Sequence, residues 1–407
     1  MGTRNQKPRL AIVSPFLDKS HGTERMVIEW LRRLDEEFDI HIYSQRVEDL
    51  DGSKFVWHRI PELRGPHLLN FIWWFAANHA WRVFDRYFTG LTYDITFSPG
   101  PNCLDADAIS VHIVFAEFLN RVKSELQFKK TPIQSWPRLL HRKLYYQVAI
   151  FLERVAYTNP RTRLILTARQ SERDIIRFYG GKGGYSMVST GLDHCVFNPA
   201  RRSSLREEAR LELGLRDGSF VALLIGNDLR KKGIRGMLEA LTELRDVPIH
   251  LVVVSREDPA PFEAMIADEE VSRRVHFLPP RRDVEYYYAA ADVYVGPSLE
   301  DTFALPVFEA MACGLPVIVS ACAGASELIT EGFDGMVLHD PRDKSMLAAM
   351  IRRLFADADC LKRLGRNAAT TTQKYTWERS SSELAAVFHE ILAQEGRGAL
   401  PQTLPEL

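Results

Sequence analysis

Across its second half the chain repeats one local rhythm: short apolar runs at 220–226, 249–255, 275–278, 293–295, 316–320 and 336–338, separated by stretches with helical spacing of apolar side chains. Runs of this kind lack the alternation of a half-exposed strand, so they read as strands covered on both faces. Strands that alternate with helices are joined in parallel. The first half follows the same grammar at 10–14, 40–43, 95–98, 108–112, 164–168 and 187–189, with a helix expected over 24–34. The fold class is therefore α/β, with two doubly wound domains. A chain of 407 residues with 46% apolar content can fill two such cores. The turn-rich, aperiodic stretch 191–199 reads as the linker. It gives a first domain over 1–197, a second over 198–375 and a last amphipathic helix over 376–393.

Charge and cysteine content exclude several classes. A net charge of −1 leaves no global electrostatic case for nucleic-acid binding. Five cysteines without a CxxC pair suggest neither a disulfide framework nor a zinc site, and a cytoplasmic protein without metal or other cofactor is expected. The first apolar run is too short for a signal-peptide core or a membrane span, and reads as a strand.

The densest chemistry lies in PSLEDTFALPVFEAMACGLPVIVS, residues 297–320. A strand ends there in a polar loop, and Leu305-Pro306 opens a helix, proline suiting a position where no amide donor is needed. The helix start would sit at the carboxyl edge of a parallel sheet, where free amides and the dipole favour a diphosphate. Glu309, placed in the first turn, is in reach of ribose hydroxyls, and Asp301 in reach of a transferred sugar. The competing reading has Asp301 capping the loop and Glu309 favouring the helix dipole. In GNDLRKKGIRGMLEAL, residues 226–241, Lys232 with Lys231 or Arg230 would face the same phosphates, or else form a solvated basic cap. His112 ends the run DAISVH and would project from a strand's carboxyl end, unless it is a core or surface histidine.

These stretches resemble the large group 1 type of retaining glycosyltransferases, whose hallmark reads PS..EGFGLP..EAMACG.PV. Asp301 stands where the family's first glutamate does, with Glu300 beside it; Thr302 and Ala304 replace two loop glycines, and Glu309 matches the second glutamate. The 226–241 segment resembles the family's G.....KG phosphate element. DKSHGTERMV resembles its GG.ER element, with Gly22 kept and His21 replacing the other glycine. SMVSTGLDHCVF and YTWERSSSELAAVFHEIL resemble the segments that end the first domain and cross back to it.

The resemblance implies a GT-B fold: two Rossmann-like domains, an acceptor-binding one and a donor-binding one, with a cleft between them and a terminal crossover helix. It implies His112, Lys232 and Asp301 as catalytic residues. Donor contacts are expected from Gly22, Arg230, Lys231, Glu300, Thr302, Phe303, Ala304, Leu305 and Glu309. The substrates implied are a nucleotide diphosphate sugar and a saccharide or lipid-linked acceptor, in cell-envelope polysaccharide or glycolipid synthesis, with retention of configuration and no metal. Two other classes stay open: a sugar-nucleotide epimerase, and an inactive nucleotide-sugar-binding subunit.

Residues 121–163 hold ten Lys or Arg against two Asp or Glu, interleaved with aromatic and aliphatic side chains. Upstream, HLLNFIWWFAANHAWRVF is too short and too interrupted to span a bilayer. Both stretches read as helices packed in the first domain, or as peripheral contact with the inner face of an anionic membrane.

Overall fold

The structure, a computed structural model, describes residues 7–18, 22–63, 65–122, 136–181, 184–215, 218–266 and 268–396. The chain divides into two compact units, one of 1–167, 171–190 and 377–407, the other of 168–170 and 191–376.

The first unit is built on seven parallel strands, Arg9–Val13 (β1), Asp39–Ser44 (β2), Val56–Arg59 (β3), Ile95–Pro99 (β4), Ala108–Val111 (β5), Arg163–Leu166 (β6) and Tyr185–Met187 (β7). Their order is β3-β2-β1-β4-β5-β6-β7, so the chain works outward from β1 in one direction, then returns to its other side. Helices Gly22–Leu34 (α1), His67–Phe84 (α2), Phe115–Val122 (α3), Trp136–Tyr157 (α4) and Arg169–Tyr179 (α5) make the crossovers. Side-chain alternation sorts the sheet into two cores: Leu10 and Ile12 join Trp30 and Phe97 on one face, while Val13 joins Tyr43, Trp74 and Tyr157 on the other. Strand β3 was not legible in the sequence. It is an exposed edge without apolar alternation, held by pairing with β2 and by His58 Nε2 against His41 Nδ1 at 3.0 Å.

The second unit repeats this order in six parallel strands: Phe220–Ile225 (β8), Ile249–Val254 (β9), Val275–Leu278 (β10), Val293–Gly296 (β11), Val317–Ser320 (β12) and Met336–Leu338 (β13), arranged β10-β9-β8-β11-β12-β13. Its principal helices are Pro199–Glu212 (α6), Ile234–Glu243 (α7), Glu285–Ala290 (α8), Leu305–Ala312 (α9), Lys344–Ala356 (α10) and Ala358–Thr372 (α11). Both sheets thus carry a topological switch, at β1/β4 and at β8/β11, where strand ends leave room for a ligand.

The last helix, Trp377–Gly396 (α12), belongs to the first unit. Trp30 of α1 donates its indole N–H to Ser380 Oγ at 2.7 Å, and Phe388 meets Phe38 edge-to-face. The boundary read at 197/198 falls seven residues late. Leu192 bridges to Thr376 and Phe197 packs on Tyr288, so 191–197 is part of the second core.

Candidate active site

Two loops leave β8 and β11 on either side of the second switch, and glycine lets them touch. Gly233 has φ +78°, and a Cβ there would lie 2.0 Å from the Pro297 carbonyl oxygen, so no other residue allows this approach. A Cβ on Gly226 would meet Lys232 Cε at 2.7 Å; its absence leaves the lysine stem its course. The amide of Leu299 donates to the Lys231 carbonyl at 2.8 Å and stitches the loops together.

That contact brings two lysines to two acids. Lys231 pairs with Glu300 and Lys232 with Asp301, all four side chains being mostly withdrawn from water. Burial works against the Lys231 charge, but the Glu300 carboxylate outweighs it, and the ammonium titrates above its ordinary value. Arg230, the other expected partner, is exposed.

Asp301 also does what a cap does. Its Oδ1 accepts the amide of Ala304 at 2.9 Å, and its own amide donates to the Cys322 carbonyl at 3.1 Å. Ala304, the residue before α9, holds φ +67°, ψ +64°, the left-handed conformation in which a side chain is disfavoured. The amide of Ala304 is therefore engaged by the chain's own acid. Thr302 is half-buried, and Phe303 is buried edge-to-face on Phe308.

Glu309 departs from the first-turn position expected for it. It is the fifth residue of α9, buried, and its Oε2 accepts the hydroxyl of Tyr288 at 2.7 Å. Burial first, and Glu309 second, hold the Tyr288 phenol protonated far above its usual range. Tyr288 sits in α8 within a run of three tyrosines, a signal that reads as core and gave no hint of this bond.

In the first unit Gly22 is the exposed first residue of α1, and His112 follows the last residue of β5, so both lie at the carboxyl edge of that sheet. His21 lies outside the described residues. His112 Nε2 is 2.7 Å from the Oγ of buried Ser110, and burial lowers the imidazole to about 4, so it is neutral at pH 7. Three residues further on, the amide of Phe115 donates at 2.8 Å to Glu153 Oε1, while Glu153 Oε2 accepts the Tyr179 hydroxyl at 2.6 Å. Glu153 is fully buried, and burial raises it to about 7 despite these donors. Sequence reading passed over this acid; its only signal was a lone glutamate in an apolar stretch of α4.

Residues 206–371 match the sequence model of the family described as Glycosyl transferases group 1. A D-inositol 3-phosphate glycosyltransferase of Geodermatophilus obscurus is 31% identical over 261 residues, which are 60% of this chain and 56% of the relative. The chain spans a little over half the length of the curated relatives it matches. Among solved structures, WaaG, a glycosyltransferase involved in lipopolysaccharide biosynthesis, superposes with a TM-score of 0.77 at 19% identity over 93% of this chain and 99% of that one. Anabaena Alr3699/HepE in complex with UDP and glucose gives 0.68 at 17% identity over 94% and 99%. At such identities the likeness is one of fold, and the fold class is GT-B. The stretch that carries both lysine–acid pairs lies within the residues that match the group 1 glycosyltransferase model.

Proposed function

We propose that the chain is a retaining glycosyltransferase that moves a hexosyl group from a nucleotide diphosphate sugar to a saccharide or lipid-linked acceptor, in cell-envelope polysaccharide or glycolipid synthesis. The observation that carries this reading is the double lysine–acid contact at the ends of β8 and β11, within a stretch of the group 1 family. The relative's printed activity and the UDP and glucose held by Alr3699/HepE support the donor class.

In this reading Lys231 and Lys232 exchange their carboxylate partners for the diphosphate and stabilise the charge that grows on it as the C1–oxygen bond breaks. Glu309 takes the ribose. Asp301 and Glu300, released from the lysines, take hydroxyls of the sugar, with Thr302, Phe303, Ala304 and Leu305 shaping the loop around it. His112, neutral and backed by Ser110, contacts the hexose, and the Gly22 turn admits the donor closely. The acceptor oxygen bonds to C1 on the face the leaving group departs from, and its proton passes to the departing diphosphate. The lysines supply the charge that a divalent cation supplies elsewhere, and turnover is expected to survive a chelator.

The test is a panel of nucleotide sugars scored by thermal stabilisation and then by turnover with acceptor. A donor at a hundred times its dissociation constant adds about 2.7 kcal/mol. Stabilisation by a donor without transfer to any acceptor would favour a binding subunit, and interconversion of the donor sugar an epimerase.

A further inference from the structure

Helix α2 is largely apolar around its circumference, yet only one side is covered. Leu68, Trp74 and Ala77 face the core of the first unit, and Arg82 is bound to Asp105 at 2.7 Å. Opposite them Leu69, Ile72, Trp73, Ala76, Ala80, Val83 and Phe84 recur at spacings of three and four on the exposed side, forming one stripe down the helix. The stripe does not stop with α2. A π turn, Asp85–Thr89, continues it with Tyr87 and Phe88, 71% and 76% exposed. An aromatic and aliphatic row over about five turns is beyond the scattered exposure normal on a soluble surface.

Helix α4 lies beside α2, joined to it by Phe71 edge-to-face on Tyr145, and carries a second exposed stripe, Leu140, Leu144, Phe151 and Val155. Charge is of one sign. Across α2, the π turn and α4 the only acids are Asp85 and Glu153, both buried and hydrogen-bonded, whereas Arg86, Arg142 and Arg154 are exposed. No helix among the described residues is long and apolar enough to cross a membrane.

We propose that this face, α2 with its π turn and α4, docks in the plane of an anionic lipid bilayer. Apolar stripes flanked by cations and by amphipathic Trp and Tyr rings match a headgroup boundary, where the rings bury their bodies and keep their polar tips wet. Surface phosphates then attract the arginines, each contributing about 1 kcal/mol. The region 121–163, read from the sequence as the contact, supplies only the α4 part; residues 123–135 of it lie outside the described residues. The proposal rests on the lipid-linked alternative for the acceptor, since a transferase held on the membrane meets such an acceptor in two dimensions.

Flotation with vesicles of phosphatidylcholine, alone or mixed with phosphatidylglycerol, tests it on the full chain without sugar nucleotide. The parent is expected to float with the mixed vesicles. Ile72→Gln, Phe84→Gln and Phe88→Gln together should weaken this at least about tenfold. Arg86→Ala with Arg142→Ala should weaken it about fivefold per charge, with the loss confined to the anionic vesicles. An unchanged melting temperature certifies that the variants fold. A parent that stays out of both vesicles, or apolar variants that float like the parent, overturns the proposal. So does a parent dimer that the apolar variants dissolve, which would make the face a contact between copies. Stabilisation by a nucleotide sugar, measured on the same proteins, stands or falls independently of these outcomes.

Discussion

Lys232 donates its ammonium to Asp301, and the same carboxylate accepts the amide of Ala304. One acid thus ties the loop after β8 to the start of α9 and holds the lysine mostly out of water. Such a pair owes its stability to both partners being present, because removing one leaves the other buried and uncompensated.

Lys232→Ala is expected to lower turnover about a hundredfold, the scale of one lost transition-state contact, with a smaller change in donor affinity. Steady-state kinetics check this. A double-mutant cycle with Asp301→Asn should show coupling in stability, since the pair is lost once rather than twice. Near-normal turnover in Lys232→Ala would make the lysine a structural partner of Asp301.

Asp301→Asn keeps an oxygen for the Ala304 amide but loses the charge that a sugar hydroxyl would meet. Calorimetric titration should show weaker binding of the sugar nucleotide and nearly unchanged binding of the bare nucleoside diphosphate. Glu300→Gln run beside it reports whether the neighbouring acid shares the contact, as its pairing with Lys231 allows.

Ala304→Gly should raise stability. The left-handed backbone costs an alanine about 1–2 kcal/mol, and the added freedom of the unfolded glycine offsets about 0.4–1 kcal/mol of the relief. Scanning calorimetry of the full chain reads the difference. A lower melting temperature would show that the alanine methyl contributes packing that outweighs its strain.

Glu309→Gln should weaken nucleoside diphosphate binding by about 1.5–3 kcal/mol, the range for a charge-assisted hydrogen bond. Tyr288→Phe, which removes the hydroxyl that orients Glu309, should produce a smaller loss of the same sign. Equal affinity in parent and Glu309→Gln would sink the ribose assignment.

His112 gives stability a pH dependence of known sign. Its folded value, about 4, lies below the unfolded value of about 6.5, so the unfolded chain takes up the proton first. Stability is whole above about pH 6.5 and declines as pH falls toward 4; His41, His58 and His276, also lowered by burial, act in the same direction. His112→Asn should flatten part of this decline. All seven tryptophans lie in the first unit, so their fluorescence in denaturant follows the unit that holds His112. An identical slope in parent and variant would refute the assignment.

Most of the two sheets was legible because their strands are short apolar runs, and burial on both faces demands such runs. The lysines at 231 and 232, the acids at 300 and 301 and the helix opening at Leu305 were legible too, since a strand end followed by turn residues and a helix start is a local pattern. What local pattern could not decide is which charge meets which. Lys232 and Asp301 are 69 positions apart, and only parallel pairing of β8 with β11, with Gly233 pressed against Pro297, brings their loops into register. For the same reason the bond from Tyr288 to Glu309, the cap that Glu153 places on α3 and the edge strand β3 came from the tertiary structure alone. Each joins segments whose own sequences are satisfied by a blander reading, a core tyrosine, a stray acid in a helix, a polar loop. Only the closing of distant chain around them removes water and leaves each polar group the partners that the fold brings within reach.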